Sequence, residues 1–228
     1  MIRIEPRFAE LGAMTNFSFL RGASHPEEMV ARAAELGLAG IGIADRNTLA
    51  GVVRAHVFAR ENKAAMEGTR VVPGARLAFA DGAPDILAYP RDRAAYGRLC
   101  RILTAGNLCA PKGECRLRLD DLIEHGEGLQ VVALPLIRRA GARHLLPKGE
   151  GILPSPTGRG VGGDGAFLCH LREAFGARLW VGASLTYGED MRGALAKRMG
   201  LAKKLGLPLI ATNDALMHAP ERRPLADV

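Results

Sequence analysis

The stretch FAELGAMTNFSFLRGASHPEEMVARAAELGLAGIGIAD (residues 8–45) predicts the repeating unit of an α/β fold. Its first apolar segment, Phe8–Met14, has the length of a short strand. Ser-His-Pro-Glu then forms a capping box that predicts a helix, with Ser24 as the cap and Pro26 near the first turn. Apolar residues recur along this helix at the 3.6-residue period, and Gly37 is placed to end it. The apolar run at 39–45 predicts a second, buried strand.

The same alternation of strand and helix continues along the chain. It predicts five more strands, at 70–80, 85–90, 129–135, 178–185 and 207–214, with a turn at Asp81-Gly82 between the first two of these. It predicts helices at about 48–63, 91–103, 165–175 and 190–205, and a short helical segment within 116–128. Repeated β-α alternation favours a mostly parallel sheet, and about seven strands favour closure into a barrel over two separate domains. The predicted fold class is therefore α/β, as a single domain over residues 1–228.

One segment breaks the alternation. Residues 144–165 are rich in Gly, Pro and Ser and lack periodicity, which predicts a flexible surface insertion. The sequence GRGVGGDG within it has several glycines but no Lys-Ser or Lys-Thr pair and no preceding strand. A phosphate-binding loop is therefore a poor interpretation of these glycines.

The composition, with 48% hydrophobic and 24% charged residues, is typical of a soluble globular protein and not of a disordered one. The formal net charge of +7 comes mostly from arginines spread along the chain. This charge permits contact with a polyanion such as nucleic acid. A solvated basic surface is the simpler interpretation, because no dense run of Lys and Arg occurs.

The cysteines and the N-terminal segment favour a cytoplasmic protein. No C-x-x-C pair occurs among the four cysteines, which disfavours a zinc module: Cys100, Cys109, Cys115 and Cys169. Because no secretory signal occurs, we expect these cysteines to be reduced thiols. The first residues, MIRIEPRFAEL, have no apolar core of a secretory signal. No run of 18 apolar residues occurs, so we expect no membrane span.

The predicted strand ends place two carboxylates where barrel enzymes place their chemistry. Asp45 and Asp214 each follow a predicted strand directly. A metal cluster for phosphoester hydrolysis would need several histidines and carboxylates together there. None of the six histidines falls at a predicted strand end: His25, His56, His125, His144, His170 and His218.

Four stretches resemble a known family. They are NFSFLRGASHPEEMVARAAELGLAGIGIADRNTLAGVVRA (16–55), YPRDRAAYGRLCRILTAGN (89–107), LREAFGARLWVGASL (171–185) and ATNDALMHAPERRPLADV (211–228). Together they resemble the polymerase-and-histidinol-phosphatase (PHP) domain at the start of bacterial error-prone C-family DNA polymerases, relatives of the polymerase III alpha subunit. The resemblance implies a distorted (β/α)7 barrel. Active members of the family that the chain resembles bind two or three metal ions through His, Asp and Glu.

This sequence departs from the family's ligand pattern at nearly every position. The first motif, H-x-H, falls at Gly12 and Met14. The second, Asp-His, is Asp45-Arg46, and the Glu expected after the third strand is Arg76. The last, Asp-x-His, is Asp214-Ala215-Leu216. We therefore expect no catalytic residue, no metal and no cofactor, and Asp45 and Asp214 remain only as vestigial ligand candidates.

The residues at the family's metal-ligand positions have several possible roles in this sequence. We hypothesise that Asp45 or Asp214 pairs with Arg46 or Arg76, filling the pocket with an ion pair. Asp45 could instead cap the helix that begins near 48, and Asp214 could cap its strand end. Met14 is most simply a core or pocket filler.

The resemblance implies a function in error-prone DNA synthesis, with DNA repair, translesion synthesis and replication as its context. In the family, the carboxylates for nucleotidyl transfer lie in a palm region downstream of this domain. We therefore expect the chain to be a fragment, a truncated reading frame or a split piece that does not polymerise DNA alone. Its expected function is a scaffold that packs against the remaining polymerase modules or against replication and repair proteins, near DNA.

Two alternatives remain open. One is a phosphoesterase or 3′–5′ exonuclease with a residual metal site, and the other is a nucleic-acid-binding module.

Overall fold

The computed structural model describes residues 8–134, 163–184 and 191–226. Most of the predicted insertion, residues 144–162, lies outside these ranges. A helix begins at Gly163, two residues before the start that the sequence predicts.

The described residues form seven strands, as the sequence predicts, and seven helices, of which the last was not predicted. The strands are β1 (Ala9–Ala13), β2 (Gly40–Arg46), β3 (Arg70–Leu77), β4 (Ile86–Pro90), β5 (Leu129–Ala133), β6 (Leu179–Ala183) and β7 (Leu209–Ala211). The helices are α1 (Pro26–Glu35), α2 (Ala50–Glu61), α3 (Arg93–Leu108), α4 (Leu119–His125), α5 (Gly163–Phe175), α6 (Met191–Leu205) and α7 (Arg223–Ala226). Short 3-10 turns precede β6 and α7.

The strands form one mixed sheet in the order β1-β2-β3-β4-β5-β6-β7. The first three strands run parallel, and so do the last three. Strand β4 runs antiparallel to both β3 and β5, because the turn at Asp81-Gly82 makes a hairpin where the other connections contain helices. The prediction of a mostly parallel α/β sheet is confirmed with this one exception.

The sheet curls around an apolar interior, and the helices pack on its outside. The interior is filled by Ala44, Leu87, Tyr89 and Val132, with Leu11, Val72, Trp180 and Ile210 against them. Outside, α1 and α2 cover β1 and β2 through one cluster, and α3 to α6 cover β3 to β6 through a larger one. This arrangement is a nearly closed barrel, which confirms the predicted fold class.

Among the predicted helix boundaries, the start of α1 and the end of α3 were wrong. Helix α1 begins one residue later than expected, with His25 as its N-cap, and the Glu28 carboxylate accepts the backbone N–H of His25 at 2.8 Å. Ser24 is not the cap, because its hydroxyl contacts Nδ1 of His218 at 2.8 Å. Helix α3 runs to Leu108, five residues beyond its predicted end. Among the described residues, no helix has the length and apolarity needed to cross a bilayer.

Candidate functional site

The mouth of the barrel lies at the carboxyl ends of β1, β2, β3 and β7. Side chains alternate between the two faces of a strand, so Arg46 lies on the same face as Ala44, which fills the barrel interior. Arg46 and Arg76 are direct register partners across the β2–β3 pair. Both guanidiniums therefore lie at the mouth.

Two carboxylates neutralise these guanidiniums. Arg76 donates from Nη2 to Oδ1 of Asp214, in a direct ion pair. Asp85, which precedes β4, lies 3.7 Å from Nη1 of Arg76 and 3.6 Å from Nη1 of Arg46. Arg76 is buried, whereas both carboxylates remain about a quarter exposed. Burial lowers the pKa of Arg46 below its ordinary value, and the charge of Asp85 offsets part of this effect.

The hypothesis of a carboxylate–guanidinium pair is confirmed for Asp214 and is wrong for Asp45. Asp45 is fully buried, but it lies on the opposite face of β2 from Arg46, toward the loop after β1. Its carboxylate accepts the backbone N–H of Thr15 at 2.7 Å, the Thr15 hydroxyl at 2.8 Å and the Ser18 hydroxyl at 2.7 Å. Burial raises the pKa of Asp45, and these three hydrogen bonds offset part of that rise.

Asp45 is also not the cap of α2. That helix begins at Ala50 with Leu49 as its N-cap, and the Ala50 amide donates instead to the Thr48 hydroxyl at 3.1 Å. Asp45 lies on the outer face of β2, whereas Asp214 pairs with Arg76 at the mouth, so the two do not form one carboxylate pair.

The two positions at the end of β1 that the resemblance assigns to histidines, Gly12 and Met14, are closely packed. A Cβ added at Gly12 would lie 2.6 Å from the Thr212 hydroxyl and 3.1 Å from Cα of Asp214. Met14 is buried, as a pocket filler would be, and its backbone N–H donates to the Ala215 carbonyl at 2.9 Å. A larger residue at 12 would push β1 and β7 apart.

Glu10 is a site residue that the sequence reasoning missed. It is buried in β1, and its carboxylate accepts the Gly12 amide at 2.5 Å, the Thr212 hydroxyl at 2.5 Å and the Asn213 amide at 2.7 Å. Since the last two donors follow β7, Glu10 closes the gap between the first and last strands. The available signal was an acidic residue in the middle of a short apolar strand.

A second polar cluster joins α1 to the segment after β7. Nδ1 of His218 lies 2.8 Å from the Ser24 hydroxyl and 3.7 Å from Oε2 of Glu28, and Arg222 donates to Glu28 at 2.5 Å. Both contacts of His218 use the same ring nitrogen. A catalytic relay needs one nitrogen for the nucleophile and the other for the carboxylate, so this cluster is structural.

The family model described as the PHP domain matches residues 11–148. The chain belongs to the PHP domain family. It is 49% identical over 221 residues to error-prone DNA polymerase 1 of Rhizobium meliloti, and 45% identical over 226 residues to the error-prone DNA polymerase of Caulobacter vibrioides. These alignments cover 97% and 98% of the chain, but only 18% of the length of either polymerase.

Solved structures show the same fold at low sequence identity. A candidate metal-dependent phosphoesterase from Bifidobacterium adolescentis is 15% identical, with a TM-score of 0.59, over 93% of this chain and 88% of that protein. An amidohydrolase from Chromobacterium violaceum, solved with bound sulfate and no metal, is 15% identical, with a TM-score of 0.61, over 92% and 87% of the two chains. These likenesses support the barrel fold alone.

The described residues at the mouth of this PHP domain do not fit the metal ions that its family resemblance implies. A divalent ion in such a site needs several His, Asp or Glu donors. The described residues contain no group of three or more His, Cys, Asp or Glu side chains placed to hold one. At the mouth, Asp85 and Asp214 already neutralise two guanidiniums. A cation bound there would have to displace Arg76, which is buried.

Proposed function

We propose that this PHP domain is a structural module of an error-prone DNA polymerase and performs no chemistry of its own. The resemblance to error-prone polymerases along nearly the whole chain supports the polymerase context. In this proposal the domain packs against the rest of the polymerase in the cytoplasm and supports DNA synthesis during damage repair. Its barrel mouth is a vestigial metal site.

The observation that supports a vestigial site best is the pair of arginines at the mouth. Arg46 and Arg76 stand where the family resemblance places a histidine and a glutamate, so two positive charges replace two ligands. Like charges at close range repel, and a divalent cation beside two guanidiniums is electrostatically unfavourable. The carboxylates of Asp214 and Asp85 stabilise the arginines instead.

Metal analysis of the purified chain tests the vestigial site. After dialysis against excess Mn²⁺ or Zn²⁺ and then metal-free buffer, we expect only substoichiometric metal and no turnover of p-nitrophenyl phosphate. Stoichiometric metal that is lost in Asp214→Asn and retained in Asp120→Asn, an exposed control, would establish the phosphoesterase or exonuclease alternative instead.

A chimera tests the scaffold role. In this protein, called the chimera below, the chain replaces the matching region of the Rhizobium meliloti polymerase. We expect the chimera to extend a DNA primer, because the replaced region supplies packing and not catalysis. A folded chimera without primer extension, or unchanged extension after the matching region is deleted altogether, would contradict the scaffold role.

A further inference from the structure

The loop between β1 and α1 exposes three large apolar side chains within four residues. We call residues 15–22 the mouth loop. Phe19 is 83% exposed, Leu20 63% and Phe17 36%. Single exposed apolar residues are ordinary on protein surfaces, whereas a contiguous group marks an interaction surface.

Hydrogen bonds to the end of β2 and within the loop hold the mouth loop in one conformation. The Ser18 hydroxyl, between the two phenylalanines, donates to Asp45 and accepts the Arg46 amide at 3.0 Å. The amides of Arg21 and Gly22 both donate to the Ser18 carbonyl at 3.0 Å. A loop fixed in this way loses little conformational entropy when a partner binds.

Leu20 adds backbone strain to this exposure. Its φ of 58° lies in the left-handed region, which is unfavourable for a residue with a Cβ and a branched side chain. Burial of its side chain does not offset the strain, because the side chain points to solvent. Backbone strain that folding leaves uncompensated is typical of binding sites, where a partner supplies the offsetting contacts.

We propose that the mouth loop is the surface on which this PHP domain docks against the rest of the polymerase, an inference that rests on the proposed scaffold function. Its partner is an apolar recess with an acidic rim. More than four fifths of the length of each polymerase relative lies outside the match with this chain, so a large partner surface is available. Arg21, which is exposed, makes the edge of the loop basic, whereas the nearby Arg54 pairs with Glu27.

A protein partner fits this surface better than single-stranded DNA does. Strand binding needs open aromatic faces and several uncompensated cations. Here Arg54 already covers Phe17 and pairs with Glu27 at 2.7 Å, and Arg46 pairs with Asp85. Leu20 offers no ring for a base to stack on. Among the described residues around the loop, Arg21 alone lacks a carboxylate partner.

Hydroxyl-radical footprinting of the isolated chain and the chimera tests the inference. We expect oxidation of Phe19 and Leu20 in the isolated chain and loss of that oxidation in the chimera. Leu108, which is 81% exposed at the end of α3, serves as the matched control and should be oxidised equally in both. Equal oxidation of Phe19 in both proteins would overturn the docking surface and leave the scaffold role standing if the chimera extends primers.

Two further measurements complete the test. Leu20→Gly removes the strain and the side chain together, so we expect it to raise the melting temperature of the isolated chain and to lower the temperature at which the chimera loses primer extension. Leu108→Ser should leave the chimera unchanged. Protection of Phe19 in the isolated chain by a 20-nucleotide oligodeoxythymidine would overturn the inference in favour of a nucleic-acid surface.

Discussion

Adjacent residues at the end of β2 have opposite roles because a strand turns successive side chains to opposite faces. Arg46 faces the barrel mouth, whereas Asp45 faces outward and fixes the mouth loop. The sequence places both residues at a strand end but does not say which of them faces inward. Asp45 was predicted to be a vestigial metal ligand because of its position at the end of a strand and in the family's ligand pattern. In the structure its carboxylate binds Thr15 and Ser18 of the mouth loop instead.

Removal of the Asp45 carboxylate should destabilise the domain. In Asp45→Ala the buried donors of Thr15 and Ser18 lose their acceptor, and we expect the free energy of unfolding to fall by about 2–3 kcal/mol. Asp45→Asn keeps one oxygen, so its loss should be smaller. Urea unfolding measures both, and Asp120→Ala, at an exposed carboxylate, should change little. Equal stability of Asp45→Ala and the parent chain would show that these hydrogen bonds contribute nothing.

Helix α3 shows how far local sequence signals extend at the scale of one element. Asp92 caps it as a short polar residue should, and its carboxylate accepts the Ala95 amide at 2.8 Å. The predicted end at 103 was wrong, and the helix runs to Leu108 although Gly106 and Asn107 have poor helix propensity. The helix continues since Gly106 lets α3 approach Leu117 closely, where an added Cβ would lie 2.5 Å from a Leu117 methyl group. That contact is tertiary, so no local pattern contains it.

The same cap gives α3 a predictable response to acid. The hydrogen bond from the Ala95 amide holds the pKa of Asp92 below its ordinary value of 3.8. The stabilisation is therefore complete above pH 3.8 and is lost as the pH falls through the lowered pKa. Asp92→Asn keeps a capping oxygen that does not titrate. We expect the melting temperature of the parent chain to fall relative to Asp92→Asn between about pH 5 and about pH 2. A constant difference across that range would exclude Asp92 as the titrating group.

At the scale of the whole molecule, the sequence predicts the strands and their barrel but not how the barrel closes. Each strand is indicated by its own apolar segment, which is a local pattern and can therefore be recognised from the sequence. Closure depends on Glu10 reaching Thr212 and Asn213, which lie 202 and 203 residues later in the chain. The arginines at the mouth were more predictable, because the family resemblance specifies the two ligand positions at which Arg46 and Arg76 stand. Asp85 was missed, since it precedes β4 and is brought to the mouth only by the hairpin.

The close contact of β1 with the segment after β7 should make Gly12 intolerant of a larger side chain. In Gly12→Ala the new methyl group would meet the Thr212 hydroxyl and the Asp214 backbone, so we expect the free energy of unfolding to fall by about 1–3 kcal/mol. Gly97→Ala is the matched control. Gly97 lies within α3 with nothing near its would-be Cβ, so alanine should stabilise the helix by about 0.5–1 kcal/mol. In the chimera, Gly12→Ala should lower the temperature at which primer extension is lost without changing the rate at low temperature, because a scaffold affects synthesis only by remaining folded. If Gly12→Ala destabilises the isolated chain but leaves the heat inactivation of the chimera unchanged, the polymerase does not depend on this barrel for its stability.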